Sequence, residues 1–293
     1  TNALPQQIKE CFEHTADTGI KHGTVSVIIG NDVYETTTLR TESGYSNLRS
    51  PDSVSFVSSV KGDLSRRDFT VNAMCYNETD GLIDLFGGIN DIKNNILRTV
   101  GNPYERFSED ALRILRLYRF ASTLNFSIDK DTEKAAIQCA DGLKHISRER
   151  IFAELKKASY GDNLISLKDF INTNALSFLG ICNCKDLSFI KKLSKNTDIR
   201  FYALIRQCNT SDGILENLKV SNKLKSYFNA LDNIKINETS DKAEIKYNLK
   251  NFDLIEIKDY IEYHTAFENS DYCISEQNLS EILQNNEPHR LSQ

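Results

Sequence analysis

The sequence predicts an α+β fold, in which a mixed sheet with helices at the start of the chain is followed by an all-α remainder. Two observations support this prediction. The first is a run rich in Val, Ile and Thr over residues 23–40, in which the Gly-Asn-Asp sequence at 30–32 indicates the turn of a β-hairpin. The second is the helical spacing of apolar residues from Ser108 onward, with no proline between Pro103 and Pro288.

The composition is that of an ordinary globular protein. The chain has 293 residues, 40% of them hydrophobic, and a net charge of −5, which argues against a general nucleic-acid coat. It contains no apolar run of about 18 residues, so we expect no membrane span. The seven cysteines are scattered and odd in number, which indicates reduced thiols. Because the first residues also lack the basic and apolar regions of a secretory signal, we expect a cytoplasmic protein. The sequence predicts no oligomeric state.

Local signals predict the other elements that come before the helical part. Residues 5–12 read as a short helix, with Pro5 in the first turn, where proline is tolerated. Residues 69–75 and 82–86 suggest one helix and one strand, and this α+β unit ends near Arg98.

Glu35 is a candidate functional residue on the second strand of the predicted hairpin. It lies on the same strand face as Val33 and Thr37, because side chains alternate along a strand. A carboxylate on that face is either at the edge of the sheet or directed at a site.

The stretch RFSEDALRILRLYRFA, residues 106–121, predicts an amphipathic helix that begins with Ser108 as its N-cap. At 100° per residue one side of this helix is apolar. That side consists of Ala111, Ile114, Leu115, Leu117, Tyr118 and Ala121. The opposite side carries Arg113, Arg116 and Arg119.

Two interpretations of the arginine row remain open. In the first, the row is a solvent-facing surface on which Glu109 and Asp110 pair with Arg113 at i+4 and i+3. In the second, it binds a phosphate or a base, because it uses only arginine, the residue best suited to bidentate hydrogen bonding. Asp110 would then place an acceptor next to the donors of Arg113, a combination that can match the Watson–Crick edge of a base.

The stretch SRRDF, residues 65–69, raises a similar choice. Arg66 and Arg67 could cap a helix and pair with the neighbouring Asp68. Alternatively, an arginine could bind a nucleotide triphosphate while Asp68 and Asn72, four residues apart on one helix face, hold a ribose hydroxyl.

Four stretches in order carry a resemblance to a known family. They are RRDFTVNAM, DLFGGINDI, RTVGNPYERFSEDALRILRLYRFA and HISRERIFAEL. Together they resemble the successive motifs of the class II tRNA nucleotidyltransferases, the CCA-adding enzymes, whose close kin are the bacterial poly(A) polymerases. The resemblance covers roughly residues 1–160 and implies the fold of that family, a nucleotidyltransferase head followed by a helical neck, body and tail.

The resemblance implies roles for the residues of the first motif. Arg67 would contact the incoming nucleotide, and Asp68 and Asn72 would hold its ribose. The polar stretch over residues 41–53 matches the flexible loop that this family uses in switching from C to A addition.

The third motif would select the base. Asp110 and Arg113 would act as an amino-acid template that pairs with the edge of cytosine or adenine. Arg116 and Arg119 would complete the nucleotide pocket.

By the same resemblance, the chain would consist of a partial head (residues 1–98), a neck with the templating helices (99–160), and a helical body and tail that bind tRNA (161–293). The function would be the template-independent addition of C, C and A to the 3′ end of tRNA from CTP and ATP. The alternatives are a poly(A) polymerase and an inactive fragment that binds RNA or nucleotide.

The family places a metal-binding Asp-x-Asp pair upstream of the TNALP segment at which this sequence begins. We therefore expect that pair to lie before Thr1 and the head to be incomplete. The pair would bind the Mg²⁺ ions that clamp the attacking and leaving oxygens. Glu35 would be a weaker contributor to that catalytic centre. The expectation is that the 293-residue chain alone transfers no nucleotide.

Overall fold

The computed structural model describes residues 1–43, 53–234, 249, 251–252 and 254–268. The chain forms two compact units, Thr1–Ser147 and Arg148–Gln293. Strands are concentrated in the first unit and helices dominate the second, so the predicted order of an α+β part followed by a helical part is confirmed. Within these residues no helix is both long and apolar enough to cross a membrane.

The strands of the first unit form several small sheets. They are β1 (Thr15–Gly19), β2 (Thr24–Ile29), β3 (Asp32–Thr37), β4 (Arg40–Ser43), β5 (Ser53–Phe56), β6 (Met74–Asn77), β7 (Gly81–Asp84), β8 (Ile96–Leu97) and β9 (Ser127–Ile128). An antiparallel sheet has the order β1-β2-β3, while β4-β5 and β6-β7 are antiparallel pairs and β8-β9 is a parallel pair. Antiparallel and parallel pairs are both present, as the prediction of a mixed sheet requires, and within the described residues they are divided among small sheets. The antiparallel pairs join strands that are close in sequence, where the entropy lost on loop closure is small, whereas residues 98–126 separate β8 from β9.

The predicted hairpin is present as β2 and β3. Ile29 pairs with Asp32, so the turn consists of Gly30 and Asn31, and Gly30 has a φ of 60°. Glycine adopts this left-handed conformation without the steric cost that a side chain would add. The predicted loop over residues 41–53 begins within β4 and ends at the start of β5. Its residues 44–52 lie outside the described residues.

Six α-helices among the described residues of the first unit connect and cover these sheets. They are α1 (Pro5–Cys11), α2 (Val60–Ser65), α3 (Gly88–Lys93), α4 (Pro103–Glu109), α5 (Leu112–Leu124) and α6 (Lys130–Gln138). The helix predicted over residues 5–12 is confirmed as α1, with Pro5 in its first turn.

The helix predicted over residues 69–75 is wrong. The chain forms a 3₁₀ turn over Thr70–Asn72 and then enters β6. The reason is pairing with a distant segment. The N–H of Thr70 donates to the carbonyl of Arg98 at 2.9 Å, and the N–H of Val100 donates to the carbonyl of Asp68 at 3.1 Å. These bonds satisfy the backbone groups that a helix would have used.

The single helix predicted to begin at Ser108 is also wrong. The chain forms α4, capped by the side chain of Asn102, and breaks at Asp110 before α5. Asp110 has an extended backbone (φ −140°, ψ 102°), and its Oδ1 accepts a hydrogen bond from the N–H of Leu112 at 3.0 Å. Such a side-chain bond to a nearby N–H competes with a continuous helix.

Helix α5 nevertheless packs as its apolar pattern predicts. All six residues of the predicted apolar side are buried, and Ile114 and Leu117 are 0% exposed. They form the core of the first unit with Phe69, Leu97 and Phe107. This packing fixes α5, so the side chains on its other side have defined positions.

The second unit is mainly helical. Where the structure describes this unit, the helices are α7 (Arg148–Ser159), α8 (Ile165–Asn172), α9 (Thr197–Gln207), α10 (Ile214–Asn217), α11 (Asn222–Asn233) and α12 (Leu254–Glu268). A short antiparallel pair consists of β10 (Ile181–Cys182) and β11 (Asn209–Thr210). Arg200 of α9 is 1% exposed and donates to the carbonyls of Tyr160, Gly161 and Leu193. This buried guanidinium joins the end of α7 to the segment before α9.

The second unit also contains a disulfide between Cys184 and Cys208. The expectation that the cysteines are reduced is therefore wrong for this pair. The two residues are 24 positions apart and come together because β10 pairs with β11 and the N–H of Lys185 donates to the carbonyl of Gln207 at 2.8 Å. Spacing in the sequence gives no sign of this pairing.

Candidate functional site

The two arginines of the SRRDF stretch are paired with a buried carboxylate. Arg66 and Arg67 follow α2, and both contact Asp63 on that helix rather than the neighbouring Asp68. The Arg66 Nη2 lies 2.6 Å from Asp63 Oδ1, and the Arg67 Nη2 lies 3.2 Å from Asp63 Oδ2. Burial by itself would raise the pKa of the Asp63 carboxyl, but the hydrogen bond and charge of Arg66, with help from Arg40 and Arg67, bring the pKa below its ordinary value.

Asp68 and Asn72 lie side by side, as the sequence predicts, although not on one helix face. Asp68 precedes the 3₁₀ turn that contains Asn72, and the Asn72 Nδ2 donates to Asp68 Oδ1 at 3.3 Å. The other carboxylate oxygen of Asp68 accepts from the Arg116 Nε at 2.8 Å. Arg116 of α5 therefore joins the residues that were predicted to hold the ribose.

Arg113 is held from three directions. Its Nη1 donates to Glu109 Oε2 at 2.7 Å and to the carbonyl of Arg106 at 3.2 Å. Its Nη2 donates to the carbonyl of Arg66 at 3.1 Å. These bonds leave the Nε–H and the second Nη2–H of Arg113 without a partner among the described residues. The ion pair with Glu109 was expected for a solvent-facing helix, but Arg113 is buried.

Asp110 lies at the break between α4 and α5. Its Oδ1 bond to the N–H of Leu112 holds the carboxylate at the start of α5, where the helix dipole favours negative charge. Asp110 is half-buried, and its carbonyl accepts the N–H of Arg113 at 3.0 Å. A carboxylate and a guanidinium are thus fixed one turn apart at the beginning of the same helix.

The last arginine of the row, Arg119, stacks on an aromatic ring. Its guanidinium carbon lies 3.9 Å from the ring centroid of Phe120, and that of Arg116 lies 5.5 Å from the same centroid. Phe120 in turn meets Phe69 edge to face, with 5.8 Å between ring centroids. Both arginines are half-buried, so the row is not the fully solvated surface of the first interpretation.

Glu35 does not join this group. It is exposed on β3, where it pairs with Ser26 in the β2-β3 ladder. No hydrogen bond or ion pair connects it to the arginine group within the part of the chain that the structure describes.

The described residues do not form a metal site. No group of three or more His, Cys, Asp or Glu side chains among them could hold an ion. One Asp-x-Asp sequence, Asp129-Lys130-Asp131, was missed by the sequence reasoning, but it serves another purpose. Asp129 caps α6 by accepting the N–H of Thr132 at 3.2 Å and lies 3.4 Å from Arg98. These residues do not fit Mg²⁺, so no step of the chemistry is assigned to a metal here.

Comparison with known proteins matches two family models. Residues 1–98 match the poly A polymerase head domain, and residues 125–179 match the probable RNA and SrmB-binding site of polymerase A. The candidate site lies on residues of the first model and on the segment between the two.

The chain is also similar over most of its length to a solved structure, the CCA-adding enzyme of Bacillus stearothermophilus in complex with CTP. The two are 30% identical, the TM-score is 0.79, and the match covers 97% of this chain and 72% of that one. The chain belongs to the family of CCA-adding enzymes. The CCA-adding enzyme of Thermotoga maritima, complexed with tRNA, has a TM-score of 0.62 at 21% identity, which shows a shared fold alone.

A curated CCA-adding enzyme, that of Limosilactobacillus reuteri, is 50% identical over 179 residues. The match covers 61% of this chain and 44% of the relative. This chain therefore spans less than half the length of the curated CCA-adding enzyme that it matches.

In this member of the CCA-adding family, three residues of the site were not among the predicted functional residues. They are Asp63, Arg106 and Glu109, and they hold the arginines in place. Arg106 donates to Glu109 and to the carbonyl of Ser65 at 3.1 Å. Asp63 could have been found from its i+3 and i+4 spacing to Arg66 and Arg67. The pair of Glu109 with Arg113 was part of the solvent-facing interpretation of the arginine row.

Proposed function

We propose that this chain selects CTP and ATP for the addition of C, C and A to the 3′ end of tRNA. The observation that carries the proposal is the placement of Asp110 and Arg113 at the start of α5, where Arg113 donates to the carbonyl of Arg66, two residues before Asp68. The likeness to CCA-adding enzymes, one of them in complex with CTP, supports it.

Base selection in this proposal depends on hydrogen-bond complementarity. Cytosine and adenine both present an amino group beside a ring-nitrogen acceptor on the Watson–Crick edge. The Asp110 carboxylate accepts from the amino group, and the Nε–H and Nη2–H of Arg113 donate to the acceptors. Uracil and guanine present an N–H where an acceptor is needed, so each would leave a polar group of the site unpaired.

The neighbouring residues bind the sugar and the phosphates. Asp68 and Asn72 hold the ribose, Arg67 contacts the triphosphate, and Arg116 and Arg119 complete the pocket. Arg116 serves in addition as the ion-pair partner that orients the Asp68 carboxylate.

The proposal also assigns roles to the regions of the chain and names tRNA as its partner. Residues 1–98 form the head, 99–160 the neck, and 161–293 the body and tail that bind tRNA. Glu35 keeps its predicted contribution to the catalytic centre, and Mg²⁺ is the expected metal of the complete reaction. The cytoplasmic location follows from a role in tRNA maturation.

The proposal is tested by nucleotide binding. We expect isothermal titration calorimetry on the 293-residue chain to give CTP and ATP affinities roughly tenfold or more above those of GTP and UTP, the discrimination typical of a bidentate base contact. Equal affinities for the four nucleotides would contradict the proposal. Binding of ATP without CTP would favour a poly(A) polymerase, the activity that the name of the head-domain model suggests.

Nucleotide transfer is assayed separately, with labelled CTP, Mg²⁺ and a tRNA that lacks its CCA end. Extension of this tRNA by the chain would support CCA addition.

A further inference from the structure

Asp63 is the shared acceptor of the site around the SRRDF stretch. The carboxylate is buried, and its two oxygens serve different partners. Oδ1 accepts from the Arg66 Nη2 at 2.6 Å and from the backbone N–H of Arg40 at 3.2 Å. Oδ2 accepts from the Arg67 Nη2 at 3.2 Å.

We propose that Asp63 is a positioning residue for nucleotide binding, which fixes the guanidinium of Arg67 for the triphosphate and ties it to the first residue of β4. This inference rests on the proposed function, in which Arg67 contacts the nucleotide.

Arg67 needs such a support because its side chain is 42% exposed. A long exposed side chain loses rotamer freedom when it binds a ligand, and this loss weakens binding. Asp63 holds Nη2 at 3.2 Å, and the carbonyl of Asn72 holds Nη1 at 3.2 Å. Two anchors on different nitrogens fix the plane of the guanidinium before a nucleotide arrives.

The charges suit an anionic ligand. One carboxylate faces two guanidinium groups, so the Asp63–Arg66–Arg67 group keeps an excess positive charge. Arg66 is the more tightly paired of the two, through both Nε and Nη2. Arg67 makes the longer single contact and is the more exposed, which leaves it the better placed to meet a phosphate.

The same carboxylate joins Arg67 to the β4-β5 hairpin. Asp63 Oδ1 accepts the N–H of Arg40, and the Arg66 Nε donates to the carbonyl of Arg40 at 3.1 Å. Both backbone groups of the first residue of β4 are therefore held by one ion pair. A change at Asp63 alters the anchors of Arg67 and of this strand together.

The test is a double-mutant cycle on CTP affinity, measured by calorimetry on the 293-residue chain with the variants Asp63→Asn, Arg67→Ala and both together. We expect each single variant to bind CTP roughly tenfold more weakly, the loss of one hydrogen bond to a charged group. We expect the double variant to bind no more weakly than Arg67→Ala alone, because Asp63 acts through Arg67.

A matched control is Asp91→Asn. Asp91 is also a buried carboxylate, paired with Thr70 at 2.7 Å and with Arg98 at 3.3 Å, and it does not contact Arg67. Any effect of this variant on CTP affinity should be the same with and without Arg67. If Asp63→Asn behaves like this control, or leaves CTP affinity unchanged, the positioning role is overturned.

Folding is followed by circular dichroism. Should Asp63→Asn fail to fold, the cycle is repeated with Asp63→Glu, which keeps the charge and displaces it by one methylene, and the same outcomes apply. If the unaltered chain binds no CTP, the proposed function fails. If the unaltered chain binds CTP but the effects of the two single variants add in the double variant, the proposed role of Asp63 fails and the proposed function stands.

Discussion

At the residue scale, the candidate site is a set of guanidinium–carboxylate pairs. Asp63 holds Arg66 and Arg67, Glu109 holds Arg113, and Asp68 holds Arg116. An arginine that is paired in this way loses its freedom to turn away. The consequence is a site whose donors are directed before a ligand binds.

Acid unfolding provides a test of one of these pairs. The pKa of the Asp63 carboxyl in the fold is below its ordinary value of 3.8, since Arg66, Arg40 and Arg67 outweigh the effect of burial. The ionised carboxylate therefore stabilises the fold fully above the pKa of the unfolded chain, and this contribution is lost as the pH falls through the lower, folded pKa.

We expect the free energy of unfolding of Asp63→Asn to depend less on pH than that of the unaltered chain between about pH 5 and pH 2. Urea unfolding at several pH values measures this dependence. Parallel pH profiles for the two proteins would show that the Asp63 pair does not contribute in the way its contacts imply.

The sequence was a better guide to which predicted residues lie together in the site than to the carboxylates that hold the arginines. Asp68, Asn72 and Arg116 come together although Arg116 is 48 residues from Asp68. The resemblance to a family made that possible, since periodicity alone relates only residues on one helix. Asp63 was missed although its i+3 and i+4 spacing to Arg66 and Arg67 is a local signal for such pairs.

At the element scale, the break between α4 and α5 is the feature that sets the site. A continuous helix from Ser108 would have placed Asp110 in the first turn with a helical backbone. The observed extended backbone at Asp110 instead sets its carboxylate against the N–H of Leu112. The apolar period of α5 could be predicted because burial repeats every turn, but the break depends on a single side-chain hydrogen bond.

Close packing between α3 and the 3₁₀ turn gives a second prediction. A Cβ added to Gly88 would lie 2.3 Å from the carbonyl oxygen of Thr70, which is backbone and has little freedom to move. We expect Gly88→Ala to destabilise the protein by about 2 kcal/mol, as overpacking does. Thermal unfolding measures the change.

The control for that variant is Lys93→Ala, an exposed position in the same helix. Its effect should lie within about 0.5 kcal/mol of zero. Comparable stability of Gly88→Ala and Lys93→Ala would mean that α3 and the turn are not packed as described.

At the scale of the whole molecule, the two units differ in how much could be predicted. The first unit carries the motifs, and its β2-β3 hairpin and the apolar side of α5 were predicted from the sequence, whereas the break before α5 was not. The second unit was predicted to be helical and is helical, but the contacts that stabilise it were not predicted. Arg200, buried at 1% exposure, and the disulfide of Cys184 with Cys208 depend on contacts between segments whose sequences carry no signal for each other.

The central claim is that Asp110 and Arg113 choose the base. Arg113→Ala removes the two donors proposed for cytosine N3 and O2, while Arg98→Ala removes an arginine that is 47% exposed and lies outside the site. The ratio of CTP affinity to UTP affinity, measured by calorimetry for both variants and the unaltered chain, is independent of the fraction of folded protein. The account predicts that this ratio falls by roughly tenfold or more in Arg113→Ala and stays unchanged in Arg98→Ala. An unchanged ratio in folded Arg113→Ala would contradict it.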